Sequence, residues 1–77
     1  MKEKIMEILE ETRPDVDFFT ETALITDGIL DSMDILSLVA DFNDTFDIDI
    51  HVEDLLPENF NSAQAMEELI QRLQLGE

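Results

Sequence analysis

The stretch between Arg13 and Arg72 contains no lysine or arginine, yet it holds fifteen of the twenty acidic residues of this 77-residue chain. Mutual repulsion among these carboxylates opposes any compact state. A domain of this size has a small core, and its total stability is on the order of a few kcal/mol. We therefore expect one domain over residues 1–77, with an acidic surface and a fold that responds to counter-ions.

The formal charge of −16 also limits the classes of partner. Nucleic acid and anionic membranes would be repelled, whereas basic protein surfaces and divalent cations would be attracted. The chain has no cysteine, which fits a reducing compartment and excludes disulfides and thiolate metal sites. No apolar run approaches the roughly 20 residues of a membrane span, and Met1-Lys2-Glu3-Lys4 does not resemble a signal peptide. We expect a cytoplasmic monomer without nucleic acid or stable membrane association.

Apolar spacing predicts the first and the last helix. In residues 3–12, Ile5, Ile8 and Leu9 repeat at the i, i+3, i+4 interval of one buried helix face. This helix should end before Pro14, because the residue that precedes a proline is pushed out of the helical region. The last helix is predicted over residues 63–73, where the same interval is kept by Met66, Leu69, Ile70 and Leu73.

The intervening segments predict loops and one more helix. Residues 13–30 form a long loop that should pack on the core through Phe18, Phe19, Leu24, Ile29 and Leu30. Residues 47–52 alternate polar and apolar but have no partner strand, so we expect an extended connector. A short helical turn over 53–56 should stop near Pro57, and residues 58–62 should form a link. The predicted fold class is all-α, a three- to four-helix bundle with a long first loop.

The second helix, predicted from Asp31-Ser32 to about Phe46, has two apolar faces. The core face consists of Ile35, Leu38, Val39, Phe42 and Phe46. The opposite face carries a short apolar stripe bordered by polar and acidic residues: Met33, Leu36, Ala40, Asp34, Ser37, Asp41 and Asp44. An apolar patch with a charged rim is a candidate docking surface. Contact of Met33 and Leu36 with the long loop is the alternative.

Enzymatic chemistry has little support in the sequence. Ser32 is a poor hydrolase nucleophile, because the only histidine is His51 and no G-x-S-x-G elbow surrounds the serine. The acidic segment after residue 41 does not fit a calcium loop, since the sixth position lacks the required glycine in either register. We predict no specific metal site, but weak binding of divalent cations between carboxylates such as Asp41 and Asp44.

Residues 27–34, Asp-Gly-Ile-Leu-Asp-Ser-Met-Asp, resemble the phosphopantetheine-attachment motif of acyl carrier proteins. The order of helices, the long first loop and the acidic second helix extend this resemblance over the chain. It implies a carrier that is not an enzyme. Ser32 would receive a 4'-phosphopantetheine arm from coenzyme A through a phosphopantetheinyl transferase, and the arm would hold cargo as a thioester.

The resemblance also implies docking by partner enzymes and leaves the cargo open. Acyl- or aminoacyl-loading ligases or synthases with basic patches would contact the second helix at Asp31, Met33, Asp34, Leu36, Ser37, Ala40, Asp41 and Asp44. Fatty acid or polyketide intermediates are the first cargo candidates. Met33 in place of the usual leucine is similar to D-alanyl carriers, whereas Asp34 is common in acyl carriers. An unmodified acidic interaction module is the remaining alternative.

Overall fold

The apolar periods of the sequence form helices α1 (Lys2–Thr12), α2 (Ser32–Phe46) and α4 (Ala63–Gln74) in a computed structural model that describes residues 1–76. A one-turn helix, α3 (Pro57–Phe60), and a 3-10 turn at Val52–Asp54 lie between α2 and α4. The described residues contain no β-strand. The prediction of a small, compact all-helical protein is therefore confirmed. No helix in this part of the chain has the length and apolar character needed to cross a membrane.

The core lies between α1, α2 and α4 and is completed by the loop over residues 13–31. Its buried side chains are Ile5, Met6, Ile8, Leu9, Phe18, Leu24, Leu30, Leu38, Phe42, Ile50, Phe60, Ala63, Met66, Leu69 and Ile70. On α2, Leu38 and Phe42 are fully buried, and Ile35, Val39 and Phe46 pack partly buried against them, as the helical period predicts. No polar or charged residue among the described residues is buried.

The C-terminal end of α2 is closed by Asn43. Its backbone carbonyl accepts hydrogen bonds from the N–H groups of Asp47 and Ile48, with Asp47 in the left-handed conformation at φ 53°. The Asn43 side-chain oxygen accepts a third bond, from the N–H of Ile50 at 2.9 Å. These bonds satisfy groups that the helix end leaves free. They hold the connector extended and place Ile50 in the core, so the alternating pattern does not form a strand.

Three predicted details around Pro57 are wrong. Pro57 begins α3 rather than ending a helical turn, and residues 58–60 belong to that helix rather than to a link. Proline suits the first helical position, because its fixed φ is already helical and its missing N–H would have no partner there. The preceding turn lies at 52–54 instead of 53–56. The consequence is that Phe60 is carried into the core, where it is 1% exposed.

Phe19 is a fourth correction, because this residue is 77% exposed instead of packing on the core. The side chain of Asp17 accepts a hydrogen bond from the N–H of Phe19, and its carbonyl accepts one from the N–H of Glu21. This tight turn directs neighbouring side chains in different directions. Phe18 therefore enters the core while Phe19 stays outside it.

Asn61 connects the long loop to the junction between α3 and α4. Its side-chain oxygen accepts hydrogen bonds from the N–H groups of Ile25 at 2.9 Å and Thr26 at 3.0 Å. Its amide nitrogen donates to the Thr26 hydroxyl at 3.1 Å, and its carbonyl accepts from the N–H of Leu24 at 2.9 Å. The side chain and the backbone carbonyl of Asn61 thus supply hydrogen-bond partners to a loop segment that has none from a helix.

We expect Asn61→Ala to lower the stability of the fold by about 2 kcal/mol, because the partly buried N–H of Ile25 and the exposed N–H of Thr26 both lose their acceptor. A loss of that size corresponds to a fall in Tm of roughly 10 °C for a domain of this length. Thermal melting followed by circular dichroism measures it. Gln71→Ala, which removes an exposed amide on α4, is the matched control. Equal melting temperatures for the two variants would contradict the role given to Asn61.

Candidate functional site

Ser32 is the first residue of α2, and its neighbours cap the helix. Asp31 precedes the helix with extended backbone, and its side chain accepts a hydrogen bond from the N–H of Asp34 at 2.9 Å. The Asp34 carboxylate in turn accepts from the N–H of Asp31 at 3.3 Å. This reciprocal arrangement is a capping box. Because Asp31 performs the capping, the Ser32 side chain is exposed and makes no hydrogen bond within residues 1–76.

The segment that leads to Ser32 is fixed by a compact turn. Gly28 adopts φ 71°, a left-handed conformation that glycine enters without steric cost. Its N–H donates to the carbonyl of Ile25 at 3.0 Å, and the N–H of Leu30 donates to the carbonyl of Leu24 at 3.0 Å. Leu24 and Leu30 are both buried. The chain therefore leaves the core only two residues before Ser32, which limits the positions that the serine can take.

Arg13 joins the end of α1 to this segment. Its Nη1 donates to the carbonyl of Ile29 at 3.0 Å and to Oδ2 of Asp34 at 2.7 Å. Its Nε and Nη2 donate to the two carboxylate oxygens of Asp15, each at 3.1 Å. The hydrogen bonds to Asp15 and Asp34 raise the pKa of Arg13, and the bonds from Arg13 lower the pKa of Asp15. Arg13 and Asp15 therefore both stay charged at neutral pH.

An apolar groove with a volume of about 340 Å³ opens beside Ser32. Ser32 and Asp31 form its polar rim, and its walls come from the loop, from α2 and from the segment before α3: Ile25, Leu30, Ile35, Leu36 and Leu55. A smaller recess of about 90 Å³ shares Ile25, Ile35 and Leu55 and extends to Phe60. A chain attached to Ser32 thus has an apolar surface within reach.

The outer face of α2 is open to solvent. Met33 is 71% exposed and Leu36 is 58% exposed. Ala40 and the polar residues around it are exposed as well, namely Ser37, Asp41 and Asp44. Met33 and Leu36 are therefore both largely open to solvent, although Leu36 also lines the groove together with Ile25 and Leu30 of the long loop. We call the surface formed by Met33, Leu36, Ser37, Ala40, Asp41 and Asp44 the α2 outer face.

Asp34 occupies a different environment from the other acids of α2. Its side chain is 17% exposed, and its carboxylate is paired with Arg13 and with the N–H of Asp31. The sequence places Asp34 beside the apolar stripe, but this carboxylate is engaged inside the protein. Asp31 is exposed and remains next to Ser32. The negative charge available to a partner on α2 therefore comes mainly from Asp41 and Asp44.

The remaining candidates for chemistry lie apart from Ser32. His51 is exposed, its Nε2 lies 3.6 Å from the Asp49 carboxylate, and it does not line the groove at Ser32. Within residues 1–76, no three histidine or acidic side chains are grouped so as to hold a metal ion. The arrangement at Ser32 provides an accessible hydroxyl beside the Asp31 carboxylate, and no histidine lines the groove there.

Salt and divalent cations are expected to raise the Tm. Asp41 and Asp44 are one helical turn apart, exposed, and without an ion pair within the described residues. Salt screens their repulsion, and a divalent cation bridges neighbouring carboxylates as well. Melts should therefore shift upward with sodium chloride, and further with magnesium at matched ionic strength. Asp44→Asn should reduce the magnesium increment, whereas Glu10→Gln on α1 should not. A Tm that is unchanged by both sodium chloride and magnesium would contradict the claim that repulsion between these carboxylates lowers stability.

Two contributors to the site are invisible in the local sequence pattern. The sequence places Arg13 at the start of the long loop, directly after α1, but only the fold brings it to Asp34, 21 residues away. Leu55, in the segment expected to be a helical turn, becomes a wall of the groove. The scarcity of basic residues is the one available signal for Arg13, since a lone cation in an acidic chain has many possible partners.

No family model matched this chain in a scan of protein families, and a search of the curated proteins found no similar sequence.

Proposed function

We propose that this protein is an acyl carrier whose Ser32 holds a 4'-phosphopantetheine arm on a carrier-type helical bundle with a long first loop. The observation that carries the proposal is the position of Ser32. Its hydroxyl is exposed on the first residue of a capped helix, at the rim of an apolar groove. An acceptor hydroxyl needs access to a transferase but no catalytic base of its own, and no histidine lines the groove beside this serine.

In the proposed reaction the Ser32 Oγ attacks the phosphorus of coenzyme A that bears the pantetheine group. A new P–O bond forms, and the bridge of the pyrophosphate breaks. The 3',5'-bisphosphate of adenosine leaves with the bridging electron pair, and the hydroxyl proton passes to a base of the transferase. The resulting phosphodiester carries a negative charge at the N-terminal end of α2, where the helix dipole is favourable for an anion.

The groove beside Ser32 favours an acyl cargo over D-alanine. Its walls are aliphatic, and no lysine or arginine lines it. Burial of apolar cargo in such a groove is favourable by about 25 cal/mol per Å² of surface removed from water. The ammonium group of an alanyl thioester would instead lose hydration there without a carboxylate beyond Asp31 to pair with it. Fatty acid or polyketide intermediates are therefore the proposed cargo.

The α2 outer face is the proposed docking surface for the transferase and for acyl-loading enzymes. Met33 and Leu36 offer apolar contact area next to the attachment point. Asp41 and Asp44 lie further along the same helix and would attract basic patches over the distance at which proteins first meet. This division gives the carrier a contact surface and a source of electrostatic steering on one element.

The proposal is tested by weighing the intact protein. Unmodified protein is incubated with coenzyme A and a broad-specificity phosphopantetheinyl transferase, and a parallel sample lacks coenzyme A. We expect the mass of one phosphopantetheinyl group to be added only in the complete mixture. No gain by a folded sample, with a known carrier labelled in the same tube, would leave the unmodified acidic interaction module as the better description.

The cargo is tested separately on the modified protein. One sample carries an octanoyl thioester and the other an alanyl thioester, each delivered from the matching coenzyme A derivative. The backbone amide signals of Ile25, Ile35 and Leu55 in nuclear magnetic resonance spectra report on the groove. The octanoyl chain should shift them relative to the free thiol form, and the alanyl group should not. Equal shifts for both cargoes would contradict the acyl preference.

A further inference from the structure

We propose that Arg13 is a positioning residue for the modification of Ser32: it fixes the segment from Ile29 to Asp34 and pairs with the carboxylate of Asp34, two residues after the serine. This inference rests on the proposed function, because it concerns the same acceptor serine. Arg13 lies at the start of the long loop, whereas Ser32 follows its end. Arg13 does not line the groove that is proposed to hold the cargo. Its influence on Ser32 passes through the groups that it holds.

The geometry places Ser32 between two groups bound by one nitrogen atom. Nη1 of Arg13 holds the carbonyl of Ile29, three residues before the serine, and the carboxylate of Asp34, two residues after it. The same carboxylate oxygen accepts the N–H of Asp31. The backbone on both sides of Ser32 is thereby tied to a single guanidinium group. Charge-assisted hydrogen bonds of this kind are shorter and stronger than neutral ones.

Asp15 fixes the guanidinium itself. Nε and Nη2 of Arg13 both bond to the Asp15 carboxylate, one nitrogen to each oxygen, which leaves Nη1 directed toward the serine segment. Such a bidentate pair sets the plane of the guanidinium group as well as its position. A lysine at position 13 would keep the charge but could not hold the Asp15 carboxylate edge-on while also bonding to Ile29 and Asp34.

Charge gives Arg13 a second effect on the same reaction. No other lysine or arginine lies between Lys4 and Arg72 in the sequence. Without Arg13, the pyrophosphate of coenzyme A would approach Ser32 against two uncompensated carboxylates, those of Asp31 and Asp34. Like charges at short distance raise the energy of the reacting complex, and the pairing with Arg13 removes one of them. The helix N-terminus of α2 can then act on the phosphate with less opposition.

The test is a steady-state comparison of kcat and KM for the carrier in the transferase reaction. The variants are Arg13→Ala, Arg13→Lys and the matched control Arg72→Ala, which removes the same charge from α4. Arg13→Ala should lower kcat about tenfold without raising the carrier KM, because the α2 outer face is untouched. Arg13→Lys should recover part of the loss. Arg72→Ala should react like the wild type, since the one side-chain hydrogen bond of Arg72 within the described residues is an exposed bond to Asn59.

Partial unfolding gives a different kinetic signature, so a structural role is distinguishable. An unfolded fraction lowers the concentration of competent carrier, which raises the apparent KM and leaves kcat unchanged. A raised KM with normal kcat for Arg13→Ala would therefore overturn the proposal. So would a loss of kcat that Arg72→Ala reproduces, or an Arg13→Lys variant as slow as Arg13→Ala. A wild type that takes up no phosphopantetheine would instead overturn the proposed function itself.

A double-mutant cycle with Asp34→Ala identifies the path of the effect. If Arg13 acts through the Asp34 carboxylate, the two substitutions share one cause, and the double variant should be little slower than Arg13→Ala. Multiplication of the two single effects on kcat would show that Arg13 and Asp34 act independently, and would overturn the coupling that the 2.7 Å contact implies.

Discussion

Replacing Ser32 with alanine is expected to abolish uptake of phosphopantetheine completely while leaving the melting temperature unchanged. The hydroxyl is the only atom of this side chain that can form the phosphodiester. Its removal costs the fold little, because the capping bonds of α2 come from Asp31 and Asp34, and Ser32 is exposed. Alanine also has the highest helix propensity of any residue. Loss of labelling with an unchanged melt therefore reports on chemistry rather than on folding.

The measurement is the intact mass after reaction with coenzyme A and transferase, followed by peptide mapping of the wild type. Ser62→Thr is the positive control and should be labelled normally. Ser62 caps α4 by accepting the N–H of Ala65 at 3.0 Å, and threonine keeps the hydroxyl that does so. Labelled peptide containing Ser37 or Ser62, or a labelled Ser32→Ala variant, would show that the attachment point lies elsewhere.

Reversing the charges of Asp41 and Asp44 together is expected to reduce kcat/KM of the transferase reaction by about tenfold or more at low ionic strength, the scale on which steering changes association rates. The loss should appear as a higher KM for the carrier with little change in kcat. Neither substitution threatens α2, since both residues are exposed. Asp44 also lies near the C-terminal end of the helix, where a lysine interacts favourably with the dipole.

Salt and a matched variant separate local steering from total charge. Raised salt should slow the wild type and have little effect on Asp41→Lys/Asp44→Lys, because screening removes what the mutations have already removed. Glu7→Lys/Glu68→Lys changes the net charge equally on α1 and α4, where both residues are exposed. It should keep a rate near that of the wild type. Equal losses of kcat/KM for the two double variants would show that the acidic residues of the α2 outer face contribute only to solubility.

The sequence predicts α1, α2 and α4 to within about one residue of their observed ends, because each carries an uninterrupted apolar period. Helix ends with local causes are also predictable, as with Pro14 after α1. The prediction that a helical turn stops near Pro57 is wrong, because proline is compatible with the start of a helix as well as with its end. A four-residue helix such as α3 has too few residues for a period to show.

The same distinction applies to the candidate site, where local features are predictable from the sequence and contacts between distant segments are not. Ser32, its position at the start of α2 and the exposed stripe of Met33 and Leu36 follow from local pattern. The pairing of Arg13 with Asp34 does not, because it depends on where the long loop brings the end of α1. Asn61 is a similar case, since its partners lie 35 and 36 residues away. Hydrogen bonds between distant segments leave no periodic trace in a single sequence.

The hydrogen bonds of Asn61 to the loop also determine at which stage of protein synthesis the groove can form. Ribosomal synthesis produces Ser32 and all of α2 before position 61 is added. Ile25, which lines the groove, is hydrogen-bonded to Asn61. Bringing these two distant residues together has an entropic cost, which is offset only by contacts that form after Asn61 has been added. A nascent chain can therefore present its serine before the groove has formed. If the proposed function holds, modification of Ser32 can precede synthesis of Asn61, whereas the groove can cover an acyl chain only after Asn61 has been added.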